Sequence, residues 1–432
     1  MPLRRPALVV VAAALVVTLL GCAALAWTAP LPAGPATSFD AGTVARGARL
    51  AAIGDCAGCH TARGGRPYAG GVALATPFGT IHGTNITPDP ETGIGAWTEA
   101  AFVRAMREGV ARDGHQLYPV FPYDHFTHTT DDDLHALYAY LMTRDPARAE
   151  NRPNDLRFPF SLRPLVAGWK MLYLRQAAFT AEPARSPEWN RGAYLVQSLG
   201  HCGSCHSPRN ALGAERTDRA FSGGEAEGWY VPALNNASPS PLPWTVEQLT
   251  TYLRTGIATD HAIAVYIHSV LGNPTPEREA RAGEAVRRAA AGPLPAMRTD
   301  SSGPADAAAR ADVAKPAASG ADAQEVALGA GVYAGACASC HDAGRAVSSN
   351  GALRLPLAVA VYDPDPRSLL RIVREGVTPP PAEPGRWMPA FGAVLTDEQL
   401  VGLLSYLRST AAGAPPWRDL PKAVQETRAR PS

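Results

Sequence analysis

Cys56-Ala57-Gly58-Cys59-His60 decides the fold, because the same pattern returns as Cys202-Gly203-Ser204-Cys205-His206 and as Cys337-Ala338-Ser339-Cys340-His341. Cys-x-x-Cys-His is the attachment signature of c-type haem. Two thiols three positions apart lie on one face of a helical turn and can form thioethers with the two vinyl groups of one porphyrin. The adjacent histidine then reaches the iron. A closed zinc site needs four ligands, whereas each copy offers three. The sequence therefore predicts three covalently bound haem c groups, with His60, His206 and His341 as proximal iron ligands.

Composition limits the other possibilities. The 432 residues are enough for roughly two to four domains. Lys and Arg total 40 against 39 Asp and Glu, and we find no nucleic-acid motif, so no nucleic-acid partner is indicated. Six of the seven cysteines belong to the motifs, and Cys22 alone leaves no pair for a structural disulfide.

The first thirty residues predict export or anchoring. Arg4 and Arg5 precede an apolar run, Pro6 to Trp27, that is long enough to cross a bilayer. Arginines before the run and none soon after it place the N-terminus inside and the rest of the chain outside. Residues 1–30 are either an uncleaved anchor or a lipoprotein signal that leaves a lipidated Cys22, with a cleaved soluble product as a third possibility. All three predict haems on the periplasmic side of a bacterial inner membrane.

The residues around each motif repeat. A glycine-containing helix pattern precedes each motif, with Gly47 in the first copy, Gly192 in the second, and Gly329 and Gly331 in the third, and would let that helix cross another closely. A middle helix follows each motif, and a leucine pattern of i, i+3, i+4, i+7 closes the first and third copies. The repeat indicates an all-α chain and resembles the class I cytochrome c fold, present three times in tandem. The ranges of these three domains, called here the first, second and third modules, are 40–148, 189–272 and 325–412.

The intervening segments differ in character. Residues 149–188, rich in Pro and aromatic side chains, are either a connecting strap packed on the first two modules or a docking surface for a partner subunit. Residues 273–324 are rich in Ala, Gly and Pro and predict a flexible linker, so the third module should be loosely tethered. Residues 413–432 are expected to form a C-terminal tail.

The first and third modules differ in the residue available as the sixth iron ligand. Met388 before Pro389 lies where a methionine ligand is expected and is the predicted distal ligand of the third haem. In the first module Phe121 occupies that slot and cannot bind iron. We choose His125, which follows the Pro-Tyr turn closest to the slot. Weaker alternatives are His115, His128 and Met106. A His/His haem would have a lower potential than a His/Met haem.

The second module is shortened. We compare the distance along the chain from the glycine that ends the middle helix to the tyrosine of the last helix. This distance is 31 positions in the first module, 30 in the third and only 10 in the second. The missing residues would hold the ligand loop and the start of the last helix, and no methionine lies between Met171 and Met297. Three explanations stay open: His261 or His268 replaces Met, the iron is five-coordinate, or a deletion impairs the module.

The chain resembles the tri-haem cytochrome c subunits of bacterial membrane-bound dehydrogenases over roughly residues 40–270 and 325–410. The stretches that carry the resemblance are Thr84-Asn85-Ile86-Thr87-Pro88-Asp89-Pro90-Glu91-Thr92-Gly93-Ile94-Gly95, Leu117-Tyr118-Pro119 with Phe121-Pro122-Tyr123, Trp189-Asn190-Arg191-Gly192-Ala193-Tyr194-Leu195 and Cys205-His206-Ser207-Pro208-Arg209-Asn210. Phe121 with Asp124-His125-Phe126 is most similar to the subunits paired with molybdenum hydroxylases.

The resemblance implies an electron-transfer subunit that is not itself an enzyme. Such subunits take electrons from a catalytic dehydrogenase subunit (a molybdenum hydroxylase, quinoprotein or flavoprotein) and pass them to ubiquinone or a downstream cytochrome. Electron transfer along the chain requires the first two modules to pack closely. The alternatives are a peroxidase-like haem enzyme that uses an open iron in the second module, and a soluble shuttle. The chain has no GxGxxG nucleotide fingerprint.

Overall fold

The computed structural model describes residues 28–34, 38–255, 257–258, 261–263, 320–342, 352–377 and 387–428. The apolar run, Cys22, His268, Met297 and most of the expected linker lie outside these residues. Among the helices that are described, none is long and apolar enough to cross a membrane.

The chain forms two compact units, residues 1–204 with 210–214 and residues 205–209 with 215–432. Helices of the first unit are α1 (Ala41–Ile53), α2 (Cys56–His60), α3 (Glu99–Glu108), α4 (Tyr123–Phe126), α5 (Asp131–Met142), α6 (Leu165–Tyr173) and α7 (Pro187–Gln197), followed by the short α8 (Gly203–His206). Strands β1 (Ala73–Thr76), β2 (Gly79–His82) and β3 (Asp155–Leu156) form one antiparallel sheet in the order β1-β2-β3.

The second unit is also mainly helical. Its helices are α9 (Val246–Thr255), α10 (Gly320–Ala336), α11 (Ala338–His341), α12 (Val359–Tyr362), α13 (Arg367–Glu375), α14 (Asp397–Ala411) and α15 (Leu420–Arg428). Two antiparallel hairpins accompany them: β4 (Gly224–Ala226) with β5 (Trp229–Val231), and β6 (Ile257–Ala258) with β7 (Ala262–Ile263).

Polar caps set the boundaries of helices α3 and α14. The Thr98 side chain accepts a hydrogen bond from Ala101 N at the start of α3, and the helix ends at Gly109 in the left-handed region, φ 63°. Thr396 and Gln399 form a capping box at the start of α14. These side chains satisfy backbone groups that a helix terminus leaves without partners, so the helices begin where the caps lie.

A glycine permits the close helix crossing in the first and third modules. In α1 a Cβ on Gly47 would lie 1.9 Å from the carbonyl oxygen of Ala136 in α5. In α10 a Cβ on Gly329 would lie 1.8 Å from the carbonyl oxygen of Gly402 in α14. Gly192 in α7 has nothing within 4 Å of its position. Within the described residues, α7 therefore lacks the close crossing partner that α1 and α10 have, as expected for a shortened second module.

The structure departs from the all-α prediction. Short antiparallel hairpins follow the first and second motifs, and β3 of the strap extends the first of them. Residues 413–432 are not a simple tail, because α15 packs Leu420 and Val424 into the core of the third module beside Trp417. The last residues of the expected linker, 320–324, belong to α10.

The strap packs against the first module and leaves apolar side chains exposed. Its Lys170 donates hydrogen bonds to the carbonyl oxygens of Glu108 and Gly109, each at 2.6 Å, at the end of α3. The strap also keeps Phe158 80% and Met171 64% exposed. Residues 149–188 therefore have both the packing expected of a strap and an exposed apolar surface.

Candidate haem sites

The first motif holds His60 in the orientation of a metal ligand. His60 Nδ1 lies 2.6 Å from the carbonyl oxygen of Thr84, to which it donates. This bond directs Nε2, on the other side of the ring, toward a metal. Burial lowers the pKa of His60 and so favours the neutral imidazole that binds iron. Gly83, beside Thr84, brings the chain onto the motif, since a Cβ there would lie 1.8 Å from the Cys59 carbonyl oxygen.

The second motif repeats this arrangement. His206 Nδ1 lies 2.7 Å from the carbonyl oxygen of Pro232, and burial lowers the pKa of His206. The backbone N–H of Gly223 donates to the His206 carbonyl oxygen at 2.8 Å, as Gly70 does to His60 at 2.7 Å. The two hairpins thus approach their motifs in the same way.

A residue with a left-handed backbone also closes the loop after the first and second motifs. Tyr68 and Phe221 both have left-handed backbone conformations, φ 63° and 58°. Each donates its backbone N–H, at 3.0 Å, to the hydroxyl of the residue that follows the motif histidine, Thr61 or Ser207. The second loop is longer in sequence but closes on its motif through the same bonds.

The third motif lies at the end of α10. His341 Nδ1 lies 2.9 Å from the carbonyl oxygen of Leu353. The Tyr333 hydroxyl donates to Asp342 Oδ1 at 2.7 Å and ties the motif to α10.

The residues of all three motifs fit haem c. None of the six motif cysteines forms a disulfide, so all six are available for thioether formation. Each motif histidine donates Nδ1–H to a backbone carbonyl, which fixes the tautomer and presents Nε2 to iron. Haem bound in this way would supply a reversible one-electron carrier, while the protein tunes its potential.

Comparison with known proteins agrees with this chemistry. The family model described as cytochrome c matches residues 44–145, and that of cytochrome c oxidase, cbb3-type, subunit III matches residues 324–407. The gluconate 2-dehydrogenase cytochrome c subunit of Pantoea cypripedii is 36% identical over 393 residues, which cover 85% of this chain and 85% of that protein. The chain belongs to the cytochrome c subunits of bacterial dehydrogenases.

Two other relatives of this cytochrome subunit are also named as dehydrogenase subunits. The fructose dehydrogenase cytochrome subunit of Gluconobacter japonicus is 34% identical over 415 residues, 88% of this chain and 81% of that protein. A nicotinate dehydrogenase subunit of Pseudomonas putida is 42% identical over 417 residues, 94% of this chain. The cytochrome subunit spans about a third (34%) of the length of that Pseudomonas protein.

Membership of this family makes the cytochrome subunit an electron-transfer component with covalently bound haem c and not the catalytic subunit. These three relatives are dehydrogenase subunits, so the peroxidase-like alternative has no support from them.

Met388, the predicted distal ligand of the third haem, lies in a backbone bridge that follows α13. Its backbone pairs with Val377 through hydrogen bonds of 2.9 and 3.0 Å. Gly376, at φ 75°, allows this approach, since a Cβ there would lie 2.5 Å from the Met388 carbonyl oxygen. The partly buried Met388 side chain packs against the core of the third module.

In the first module His125 lies on α4, half-buried, with Nδ1 3.3 Å from the carbonyl oxygen of Gln197. Phe121 packs edge-on against Phe126, with ring centroids 5.3 Å apart, and joins the core. Met106 is buried in the same core. Phe121 and Met106 therefore pack as apolar core residues.

The other two candidates of the first module have different surroundings. His115 pairs with Asp113 at 2.7 Å near the surface. His128 Nδ1 lies 2.7 Å from the carbonyl oxygen of Ala177 in the strap. A bond from Nδ1 to a carbonyl is therefore shared by His125 and His128 and does not by itself identify the ligand.

His261 of the second module is fully buried. Its Nδ1 lies 3.0 Å from Ser240 Oγ, and its Nε2 lies 3.1 Å from Gln248 Oε1. The ring stacks on Trp244, with centroids 4.1 Å apart. Both nitrogens are therefore engaged by side chains, an arrangement that favours a structural role over coordination of iron.

Sequence reasoning missed the contact between the attachment loops within the first unit. His201 Nε2 lies 3.4 Å from the carbonyl oxygen of Gly54, and fully buried Leu199 joins the core of the first module. Asp55 and His201, which precede Cys56 and Cys202, both have left-handed backbones, φ 46° and 34°. The shared Gly-x-Cys pattern was the signal that could have found it. Leu199 and His201, at the start of the second module, therefore pack against the first module.

Proposed function

We propose that this cytochrome subunit carries three haem c groups in tandem domains and conducts electrons from a catalytic dehydrogenase subunit to ubiquinone or a downstream cytochrome. Residues 40–148, 189–272 and 325–412 would form the domains. The thioethers would come from three cysteine pairs, namely Cys56 with Cys59, Cys202 with Cys205 and Cys337 with Cys340. The observation that carries the proposal is the bond from each motif histidine to a backbone carbonyl, which leaves three imidazoles oriented for iron.

The proposed axial ligands divide the haems by potential. His60, His206 and His341 would be proximal. Met388 would complete the third haem, and its thioether would raise the potential. His125 is the ligand we propose for the first haem, which would then have a lower potential.

The partner we favour is a molybdenum hydroxylase. The nicotinate dehydrogenase subunit of Pseudomonas putida is 42% identical to this chain, and the chain contains Phe121 with Asp124-His125-Phe126, the pattern that resembles subunits paired with such enzymes. The subunit would be located on the periplasmic face of a bacterial inner membrane, attached by residues 1–30 or by a lipidated Cys22.

The test is to produce the full chain with the haem-attachment machinery and to measure haem per polypeptide by mass and by the pyridine haemochrome assay. Three haems are expected, and Cys337→Ser with Cys340→Ser should remove one. A wild-type count below three contradicts the proposal. Reduction of the purified subunit by a nicotinate-type dehydrogenase, but not by a sugar dehydrogenase, would support the partner; the reverse result would exclude it.

A further inference from the structure

The hairpin β4–β5 carries the carbonyl that orients His206. The residue after β5 is Pro232, whose oxygen accepts the hydrogen bond from His206 Nδ1 at 2.7 Å. On β4, a Cβ on Gly224 would lie 2.3 Å from the carbonyl oxygen of Cys205 and 2.6 Å from that of Ser207. The hairpin backbone therefore packs directly on the motif, and its position fixes that of the proximal histidine.

Helix α13 of the third module holds this hairpin from the outside. Ser368 Oγ donates to the carbonyl oxygen of Tyr230 at 2.8 Å, and Tyr230 lies two residues before Pro232. The guanidinium of Arg371 lies 4.1 Å from the ring centroid of Trp229, which is only 9% exposed. Two residues on one helix face thus contact the strand that leads into the carbonyl.

An ion pair and a side-chain bond to the hairpin turn complete this contact, and a backbone bond joins the second and third modules elsewhere. Arg371 Nη1 donates to the carbonyl oxygen of Glu227 at 2.9 Å, at the hairpin turn. Arg367 pairs with Glu225 on β4 at 2.8 Å. The backbone N–H of Val359 donates to the His261 carbonyl oxygen at 2.9 Å. These contacts hold the third module against the second, so the expectation of a loosely tethered third module is wrong. The composition of the linker, on which that expectation was based, carries no information about them.

The first module supports its hairpin with a different element. There β3 of the strap pairs with β2, and Asn154 Oδ1 accepts from the backbone N–H of His82 at 3.0 Å. Thr84, which follows, accepts from His60. In both modules, a later element of the chain supports the hairpin that leads to the carbonyl accepting the histidine's hydrogen bond. For the first module this element is β3 of the strap, and for the second module it is α13 of the third module.

We infer that α13 of the third module tunes the reduction potential of the haem on the second motif, with Ser368 and Arg371 as positioning residues that act through the hairpin on His206. This rests on the proposed function, in which every motif carries a haem. A carbonyl held firmly against Nδ1–H orients the imidazole and increases its basicity. A stronger donor stabilises ferric iron and lowers the potential, so a loosened hairpin raises it.

The experiment uses the full haem-loaded chain and two variants that keep its charge, Ser368→Ala and Arg371→Lys. Midpoint potentials are measured by spectroelectrochemical titration with the haems resolved by EPR. The second haem is identified by the shift that His206→Met produces. We expect its potential to rise in both variants while the first and third haems keep theirs.

Matched controls lie in the same module. Ser409→Ala removes a hydroxyl that bonds within its own helix, to the Tyr406 carbonyl oxygen. Arg374→Lys alters an arginine on α13 that bonds to Thr427 and Asp397 instead of the hairpin. An unchanged second potential in both test variants, or an equal shift in the controls, overturns the inference. A haem count below three would instead contradict the proposed function.

Discussion

The Tyr194 hydroxyl donates a hydrogen bond to Asp133 Oδ2 at 2.7 Å, so a residue of α7 satisfies a fully buried carboxylate of α5. Arg46 pairs with the other oxygen of Asp133 at 2.6 Å. Tyr194→Phe leaves one carboxylate oxygen without this donor. We expect the free energy of unfolding to fall by about 1–3 kcal/mol, because hydrogen bonds to charged groups contribute that much. Denaturant unfolding of the haem-loaded chain measures it.

Tyr173→Phe is the control for this change. Within the described residues the Tyr173 hydroxyl has no hydrogen bond, although its ring packs against Trp169. The control should leave stability unchanged. If both variants unfold at the same denaturant concentration as the wild type, the bond to Asp133 does not join the two modules energetically.

The crossing of α10 and α14 depends on the absence of a side chain at one position. Gly329→Ala would place a Cβ 1.8 Å from the Gly402 carbonyl oxygen, so the helices must separate. We expect a loss of about 2 kcal/mol or more in the stability of the third module, since overpacking of a close contact costs typically 1–3 kcal/mol. Thermal unfolding followed by circular dichroism measures it.

Gly331, on the same helix, gives the matched comparison. Nothing lies within 4 Å of a Cβ there, so Gly331→Ala should stabilise α10 by up to about 1 kcal/mol through helix propensity. The interpretation fails if the two alanines have the same effect on the melting temperature.

The sequence was informative where local chemistry sets the structure. Thr98 and Gly109 bound α3 because a cap and a left-handed glycine act within one turn of the helix. The expected close crossings occur at Gly47 and Gly329, where only glycine fits, but not at Gly192. The proximal histidines were likewise predicted from five adjacent residues, His60 among them.

Long-range contacts were beyond the sequence. Strands of two to four residues such as β3 and β4 have too few positions to show an alternating pattern, and their pairing comes from distant chain segments. The contact of Arg371 with Trp229 joins residues 142 positions apart and has no local signature. The partner of each histidine's Nδ1, for example Pro232, depends on how such hairpins fold back.

Met388 offers a direct test of the third haem. Met388→His should replace a thioether with imidazole and lower the potential of one haem only, because a methionine ligand raises the potential. Redox titration of the purified chain measures the shift. Met171→His, at a position 64% exposed on the strap, should leave all potentials unchanged. Unaltered potentials in Met388→His would show that Met388 is not the ligand.

A buried acid should make the third module sensitive to pH. Asp363 is only 2% exposed, and its Oδ1 has no hydrogen-bond partner within the described residues. Burial, and then the nearby Asp365 carboxylate, raise the pKa of Asp363 to about 8, which Arg408 opposes. The unfolded chain loses this proton near its ordinary pKa of 3.8, so the folded state binds more protons between the two values. The stability contribution is fully present below the lower pKa and is lost as the pH rises through the higher one.

Asp363→Asn should therefore flatten the dependence of stability on pH and stabilise the third module at neutral pH by on the order of 1 kcal/mol or more. Denaturant unfolding from about pH 5 to pH 9 measures the slope in both proteins. Asp419→Asn, at an exposed carboxylate, supplies the control and should keep the wild-type slope. A wild-type protein whose stability rises steadily over this range, or an Asp363→Asn variant with an unchanged slope, would exclude Asp363 as the source, because only a group that binds its proton more tightly when folded gives a falling curve.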